Sequence, residues 1–289
     1  MKHTKNTHDL GFSHDLPNMI GRRRVMTLLA GAGVASLSGL PAIAGECVAL
    51  PWETAGPYPG DGSNTKAGQT VNALTQEGII RNDLRTSFAG MDPVAEGLQL
   101  DVEITLENAE GCVPLSDYAI YAWHCDATGL YSLYDTTDAN YLRGVGVSDT
   151  EGKVRFTTIV PGCYDGRWPH VHFEIFENVD AAVSGEASLL TAQFALPEAQ
   201  CAAVYAANPI YSNGIRNLGR ISIASDNVFR DNTEAQIEQQ MLKMTGDPAT
   251  GYTGTVTVPI DFNADRSAGM GPPSGGIGGI FQRLLPPNN

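Results

Sequence analysis

Leu98-Gln99-Leu100-Asp101-Val102-Glu103-Ile104-Thr105-Leu106 alternates apolar and polar residues without a break. A period of two over nine residues fits a β-strand with one buried and one wet face, and fits no helix. Tyr118 to His124 is a second such segment, rich in aromatics, and Asp126-Ala127-Thr128-Gly129 after it reads as a tight turn. Val154 to Val160 is β-branched and aromatic, Val171, Phe173 and Ile175 form the buried side of a further strand, and Thr253 to Ile260 alternates again. Short strands separated by turns, without a β-α-β rhythm, predict an all-β chain, an antiparallel β-sandwich with few short helices. Two helices are expected. One is the Ala-rich Pro197 to Ala207; the other runs from Asn232 or Thr233 to Met244, with a capping residue at its start and Gly246 beyond its end.

The two ends read differently from this middle. Residues 1–44 combine a long polar leader, Gly21-Arg22-Arg23-Arg24, a weakly apolar run and Pro41-Ala42-Ile43-Ala44. That pattern predicts a cleaved export signal of the twin-arginine type, and hence a periplasmic or secreted protein. Residues 45–265 are expected to form the sandwich domain, and 266–289, rich in Gly and Pro, a disordered tail. No segment predicts a membrane anchor. The formal net charge is −14, and the leader holds five of the 18 Lys and Arg against two of the 32 Asp and Glu. The remainder is therefore more acidic still, which disfavours nucleic acid and anionic membranes as partners. All five cysteines, Cys47, Cys112, Cys125, Cys163 and Cys201, follow the leader. In an oxidising compartment two disulfides and one leftover thiol are the simplest expectation, with the pairing open.

Chemistry concentrates between Tyr131 and His172. His170 and His172 sit at i and i+2, so in a strand both imidazoles leave the same face while Val171 and Phe173 enter the core. Two histidines on an exposed strand face would give the same pattern. Tyr131 follows the Gly129 turn, and Tyr164 follows Pro161-Gly162-Cys163. Either tyrosine alone would read as packing with a hydrogen-bonded hydroxyl. Together, two phenolates and two imidazoles form a donor set that suits ferric iron: phenolate is a hard anionic oxygen, and neutral imidazole adds no charge. Arg167, three residues before His170, could stabilise negative charge beside such a site or make a surface salt bridge. His124, in Trp123-His124-Cys125, reads as a satisfied core histidine.

Trp123 to Ser132, Tyr141-Leu142-Arg143-Gly144-Val145, Ser148-Asp149-Thr150-Glu151-Gly152, Phe156 to Gly162 and Arg167-Trp168-Pro169-His170-Val171-His172-Phe173 occur in that order, preceded by Thr54-x-Gly56-Pro57-Tyr58. This series resembles the intradiol ring-cleavage dioxygenase family, the catechol 1,2- and protocatechuate 3,4-dioxygenases, and within it the exported branch. The resemblance implies a non-haem Fe(III) held by Tyr131, Tyr164, His170 and His172, with Tyr164 and His172 as the axial pair. It gives Arg167 and Tyr164 catalytic roles, places Gln193 just behind the ligands, and sets Pro57 and Tyr58 at the substrate mouth. It implies a small aromatic diol and O2 as the partners, a cis,cis-muconate-type diacid as product, and allows a homo-oligomer. Gly146 and Cys163 depart from the family pattern and are expected to alter the pocket wall. Two other readings use the same residues: a secreted non-catalytic β-sandwich binding module, or a zinc or copper enzyme built on His170 and His172.

Overall fold

The computed structural model describes residues 47–264. The expected signal at 1–44 and the expected tail at 266–289 lie outside the described residues. In chain order the strands are β1 (Asp61–Lys66), β2 (Gln69–Asn72), β3 (Gln99–Asn108), β4 (Val113–Pro114), β5 (Ala119–Trp123), β6 (Arg143–Val147), β7 (Lys153–Ile159), β8 (His170–Phe176), β9 (Leu190–Ala195), β10 (Lys243–Asp247) and β11 (Gly251–Ile260). Four short α-helices follow β8: α1 (Val179–Ser184), α2 (Glu198–Ala207), α3 (Gly214–Leu218) and α4 (Glu234–Gln240).

β1 and β2 form a hairpin, and the other strands form two sheets. In the first, β10, β11 and β3 run in order; β7 pairs with the early part of β3 and β4 with its end, on the side away from β11. The second has the order β6-β5-β8-β9 and is antiparallel throughout. The expected all-antiparallel pattern fails at one place: β11 pairs with β3 in parallel, Tyr252 opposite Leu100 through Ile260 opposite Asn108. β11 is separated from β3 along the chain by the whole second sheet and by β7, so no hairpin turn joins the two and dictates their relative direction.

The core lies between the sheets. Leu100, Val102, Ile104 and Leu106 of β3 and Val154 and Phe156 of β7 pack with Val171, Phe173 and Ile175 of β8 and with Leu190, Ala192 and Phe194 of β9. β3 keeps its polar side partly wet, as its alternation predicts. β5, β8 and β9 are buried on both faces. The outer face of the second sheet is covered by a separate cluster in which Leu74, Ile79, Tyr131, Tyr134, Ala181 and Ala182 pack on Tyr121, Trp123 and Val145. That second layer turns the outer face of β8 into an interior.

Three expectations need correction. The second expected helix stops at Gln240, and Met244 and Gly246 instead lie in β10, paired with Gly254 and Tyr252 of β11. The capping signal at Thr233 is real, its hydroxyl accepting from the Gln236 N–H, but strand pairing overrides helix propensity at the other end. One disulfide forms, Cys47–Cys112, and Cys125, Cys163 and Cys201 are buried free thiols. These three belong to the apolar core, which protects a thiol as well as a bridge would. Gly146 does not line a pocket wall: a Cβ there would meet Val154 Cγ1 at 2.4 Å and Phe156 Cζ at 2.8 Å, inside the core. Only glycine lets β6 approach β7 so closely. No helix among the described residues is long and apolar enough to cross a membrane.

Candidate metal centre

β8 sets the site. Its inner side chains, Val171 and Phe173, join the core, so His170 and His172 both leave the outer face, where they are 2 % and 3 % exposed. That excludes the reading of two histidines on a wet strand face. Register places His172 between Trp123 of β5 and Gln193 of β9. The Trp123 indole stacks on the His172 imidazole, centroids 4.9 Å apart and planes 5° from parallel. His172 Nδ1 has no hydrogen-bond partner among the described residues; stacking holds this ring, with Gly56 packed near its Cε1. His170 is held differently, its Nδ1 donating to the Trp168 carbonyl. That fixes the tautomer and leaves the Nε2 lone pair aimed into the site.

The tyrosines arrive from two turns that touch. In the first, the Asp126 carboxylate accepts from the Thr128 and Leu130 N–H groups, and Gly129 takes φ +91°. A Cβ on Gly129 would lie 2.9 Å from Tyr164 Cβ, so this glycine serves both the turn and the approach of the second tyrosine. The Tyr131 N–H donates to Asp135, and its ring is covered by Tyr58 at 4.9 Å. Tyr164 is half-buried, the least enclosed of the four.

The four side-chain ends converge. Tyr131 Oη lies 3.4 Å from Tyr164 Oη, 3.4 Å from His170 Nε2 and 3.2 Å from His172 Nε2. Tyr164 Oη is 3.3 Å from His170 Nε2, and the two imidazole Nε2 atoms are 3.0 Å apart. Ligands bonded at about 2 Å to one ion, at angles between a right angle and the tetrahedral value, lie about 3 Å from one another. The spacing therefore fits a shared cation, and the donors fit a hard, highly charged one. Burial pushes Tyr131 well above the ordinary phenol range and Tyr164 up to about 12, and it holds both imidazoles well below theirs. The pocket thus presents neutral phenols and neutral imidazoles, which a bound cation would convert to phenolates.

Arg167 stands beside this cluster. Its Nε donates to Asp226 at 2.9 Å and its Nη2 to Gln193 Oε1 at 2.6 Å. The salt bridge raised as an alternative exists, but it is not on the surface: Asp226 is 0 % exposed. Asp226 also accepts the Trp168, Val228 and Phe229 N–H groups. Gln193 is fully buried and donates to the Thr54 carbonyl at 2.9 Å. Pro57 is exposed and Tyr58 half-buried, at the rim. Cys163 points to the core rather than to the ligands, its Sγ 3.5 Å from the Arg167 carbonyl.

Sequence reasoning gave no role to Asp226, Trp123 or Arg143. Arg143 is 1 % exposed and donates to the Tyr58, Pro59 and Ser132 carbonyls, the Ser132 hydroxyl and Tyr121 Oη. It ties the segment carrying Tyr58 over the ligand cluster. A lone arginine among Leu142, Gly144 and Val145 was the available signal. Asp226, 59 residues from Arg167, had none. His124 is a core histidine as expected, its two ring nitrogens facing the Cys125 carbonyl and the Thr158 hydroxyl.

A family model described as dioxygenase matches residues 72–182, a stretch that holds Tyr131, Tyr164, Arg167, His170 and His172. An intradiol ring-cleavage dioxygenase from Tetranychus urticae superposes with a TM-score of 0.55 at 21 % identity, over 75 % of this chain and 96 % of that one. A second dioxygenase crystal structure gives 0.55 at 21 % identity, over 76 % and 97 %. The chain shares its fold with an intradiol ring-cleavage dioxygenase, and its residues 72–182 match the dioxygenase model. The dioxygenase domain of a carbohydrate-binding fusion from Streptomyces sp. SirexAA-E is also similar, with a TM-score of 0.45 at 21 % identity over 74 % and 98 %. A search of curated proteins finds no match.

Proposed function

We propose that the protein is a non-haem Fe(III)-dependent intradiol dioxygenase, cleaving a catechol-type ring between its two hydroxyl-bearing carbons with O2 to give a cis,cis-muconate-type diacid. The observation that carries this reading is the convergence of two phenol oxygens and two imidazole nitrogens at 3.0–3.4 Å in a buried pocket. Tyr131, Tyr164, His170 and His172 would hold the ion. When bound, ferric iron supplies Lewis acidity toward the diol oxygens.

The chain's own residues supply the rest. Tyr164 Oη, on the half-buried side chain, would, once a bound cation has made it a phenolate, take the proton of a substrate hydroxyl. Tyr131, covered by Tyr58, stays put. Arg167, held by Asp226 and Gln193, faces the developing negative charge with its orientation already fixed. Tyr58 and Arg143 exclude water from the buried side, and Pro57 borders the substrate mouth. The same reading takes Arg22-Arg23-Arg24 as part of a twin-arginine export signal, so that the enzyme works in the periplasm or outside the cell; fractionation of cells with and without those arginines tests this.

Iron-loaded protein given catechol, 4-substituted catechols and hydroxyquinol should consume one O2 per ring and form a muconate-type diacid identified by mass spectrometry. Iron-loaded protein that consumes no O2 with any of them, or that yields only the quinone, would overturn the reading.

A further inference from the structure

Behind the ligand cluster lies a second buried polar group that the function above leaves without a task. Glu53 precedes the Thr54-Ala55-Gly56-Pro57-Tyr58 segment and is 8 % exposed. Its N–H donates to the Thr191 carbonyl at 2.8 Å, which pins it to β9. Its Oε1 accepts from Asn232 Nδ2 at 2.7 Å and from Gln240 Nε2 at 3.2 Å. Gln240, the last residue of α4, is 0 % exposed. Its Nε2 also donates to the Gln193 carbonyl at 3.0 Å, while its Oε1 accepts from Asn232 at 2.8 Å. The Gln193 side chain then has one orientation that satisfies it, Nε2 to the Thr54 carbonyl and Oε1 to Arg167.

We propose that Glu53 is a positioning residue for Arg167, acting through Gln240 and Gln193. The proposal rests on the dioxygenase reading of the site. The carboxylate oxygen only accepts, so it dictates which end of the Gln240 amide faces it. That amide anchors the backbone of Gln193 from behind while Thr54, the neighbour of Glu53, anchors its side chain. A hydrogen-bonded network of this kind, with Gln193 and Gln240 fully buried within it, holds its members more rigidly than separate bonds would. Arg167 is thus fixed from two sides, by Asp226 directly and by Glu53 through two amides.

The chemistry of Glu53 gives this arrangement a readout. Burial raises its carboxyl to about 7, opposed by the Asn232 and Gln240 bonds; Asp231 raises it further and Arg167 lowers it. Asp231, in the turn leading to α4, and Arg167 are the charged groups acting on it, and its other partners are the neutral Asn232, Gln240 and Thr191. Ionisation near pH 7 places a negative charge at the far end of the network from Arg167.

The test compares Glu53→Ala with Glu53→Gln. Removing the acceptor should lower kcat about tenfold, the low end for groups that orient a metal site from outside it, with KM changed less. Glu53→Gln keeps an acceptor and should recover most of that loss, without the break in the pH profile near 7. The Arg167 Nε–H resonance, assigned through its absence in Arg167→Lys, should shift with a midpoint near pH 7 in the unsubstituted protein and stay constant in Glu53→Gln. This signal reports on Arg167 whether or not a catechol is turned over. A resonance indifferent to pH and to both substitutions would overturn the positioning role, as would Glu53→Ala with full kcat. A shifting resonance in a protein without dioxygenase activity would overturn the proposed function while sustaining the positioning.

Discussion

His124 lies at the end of β5, one residue beyond Trp123, whose indole covers His172 on β8. The three histidines among the described residues, His124, His170 and His172, are nearly or fully buried, and burial lowers the basicity of each. Their second nitrogens separate them. His124 spends both on the protein, on a backbone carbonyl and the Thr158 hydroxyl. His170 spends one on Trp168, and His172 none, leaving both Nε2 atoms to face two phenol oxygens. Closed and open histidines of one sheet thus differ in where the free lone pair points, not in depth. A buried imidazole whose Nε2 faces oxygen donors, as in His170 and His172, keeps a lone pair open; one with both nitrogens tied does not.

Substitutions at the open and closed positions should part widely. His172→Ala removes a proposed ligand atom, and iron content and turnover should both fall by more than about a hundredfold, beyond what loss of an orienting partner causes; metal analysis and O2 uptake measure this. Next, Asp226→Ala leaves the Arg167 guanidinium, 12 % exposed, without its carboxylate. It should cost about 3 kcal/mol or more in urea unfolding and lower kcat about a hundredfold, with iron still bound. The closed histidine should behave otherwise. His124→Gln should keep turnover within a few-fold and lose about 1–3 kcal/mol from its two broken bonds. It should also change the acid limb. His124 sits at about 4 in the fold against an ordinary 6.5, so between those values the unfolded chain binds the extra proton. Stability falls as pH drops through that window, by about 3 kcal/mol for this group, and the difference between His124→Gln and the unsubstituted protein across pH 7 to 4 should show its removal. Smallest of all, Cys125, Cys163 and Cys201 should not react with Ellman's reagent until the protein unfolds, because burial raises all three thiols, Cys163 and Cys201 to about 12.

The open side of this comparison was legible in the sequence and much of its support was not. The i, i+2 spacing of His170 and His172 announces a shared strand face, and the alternation over Leu98–Leu106 announces β3. Both are local patterns, readable because the strand period is two. The partners that tune the site are distant: Arg167 meets Asp226 across 59 positions, and Gln240 meets Glu53 across 187. Nothing in the chemistry around either residue signals such a pairing. The parallel joining of β11 to β3, and the choice of Cys47–Cys112 over any bridge involving Cys125, likewise depend on how the sheets stack. Periodicity reads one strand at a time and is blind to that.

The most direct test of the central claim is a visible absorption spectrum of the purified protein with metal analysis, taken before and after anaerobic addition of catechol. A ferric site with two tyrosinates predicts bound iron and a broad red-to-purple phenolate-to-iron band that shifts with catechol and weakens in Tyr131→Phe. A colourless protein that takes up no Fe(III), its four donors intact, would contradict the account.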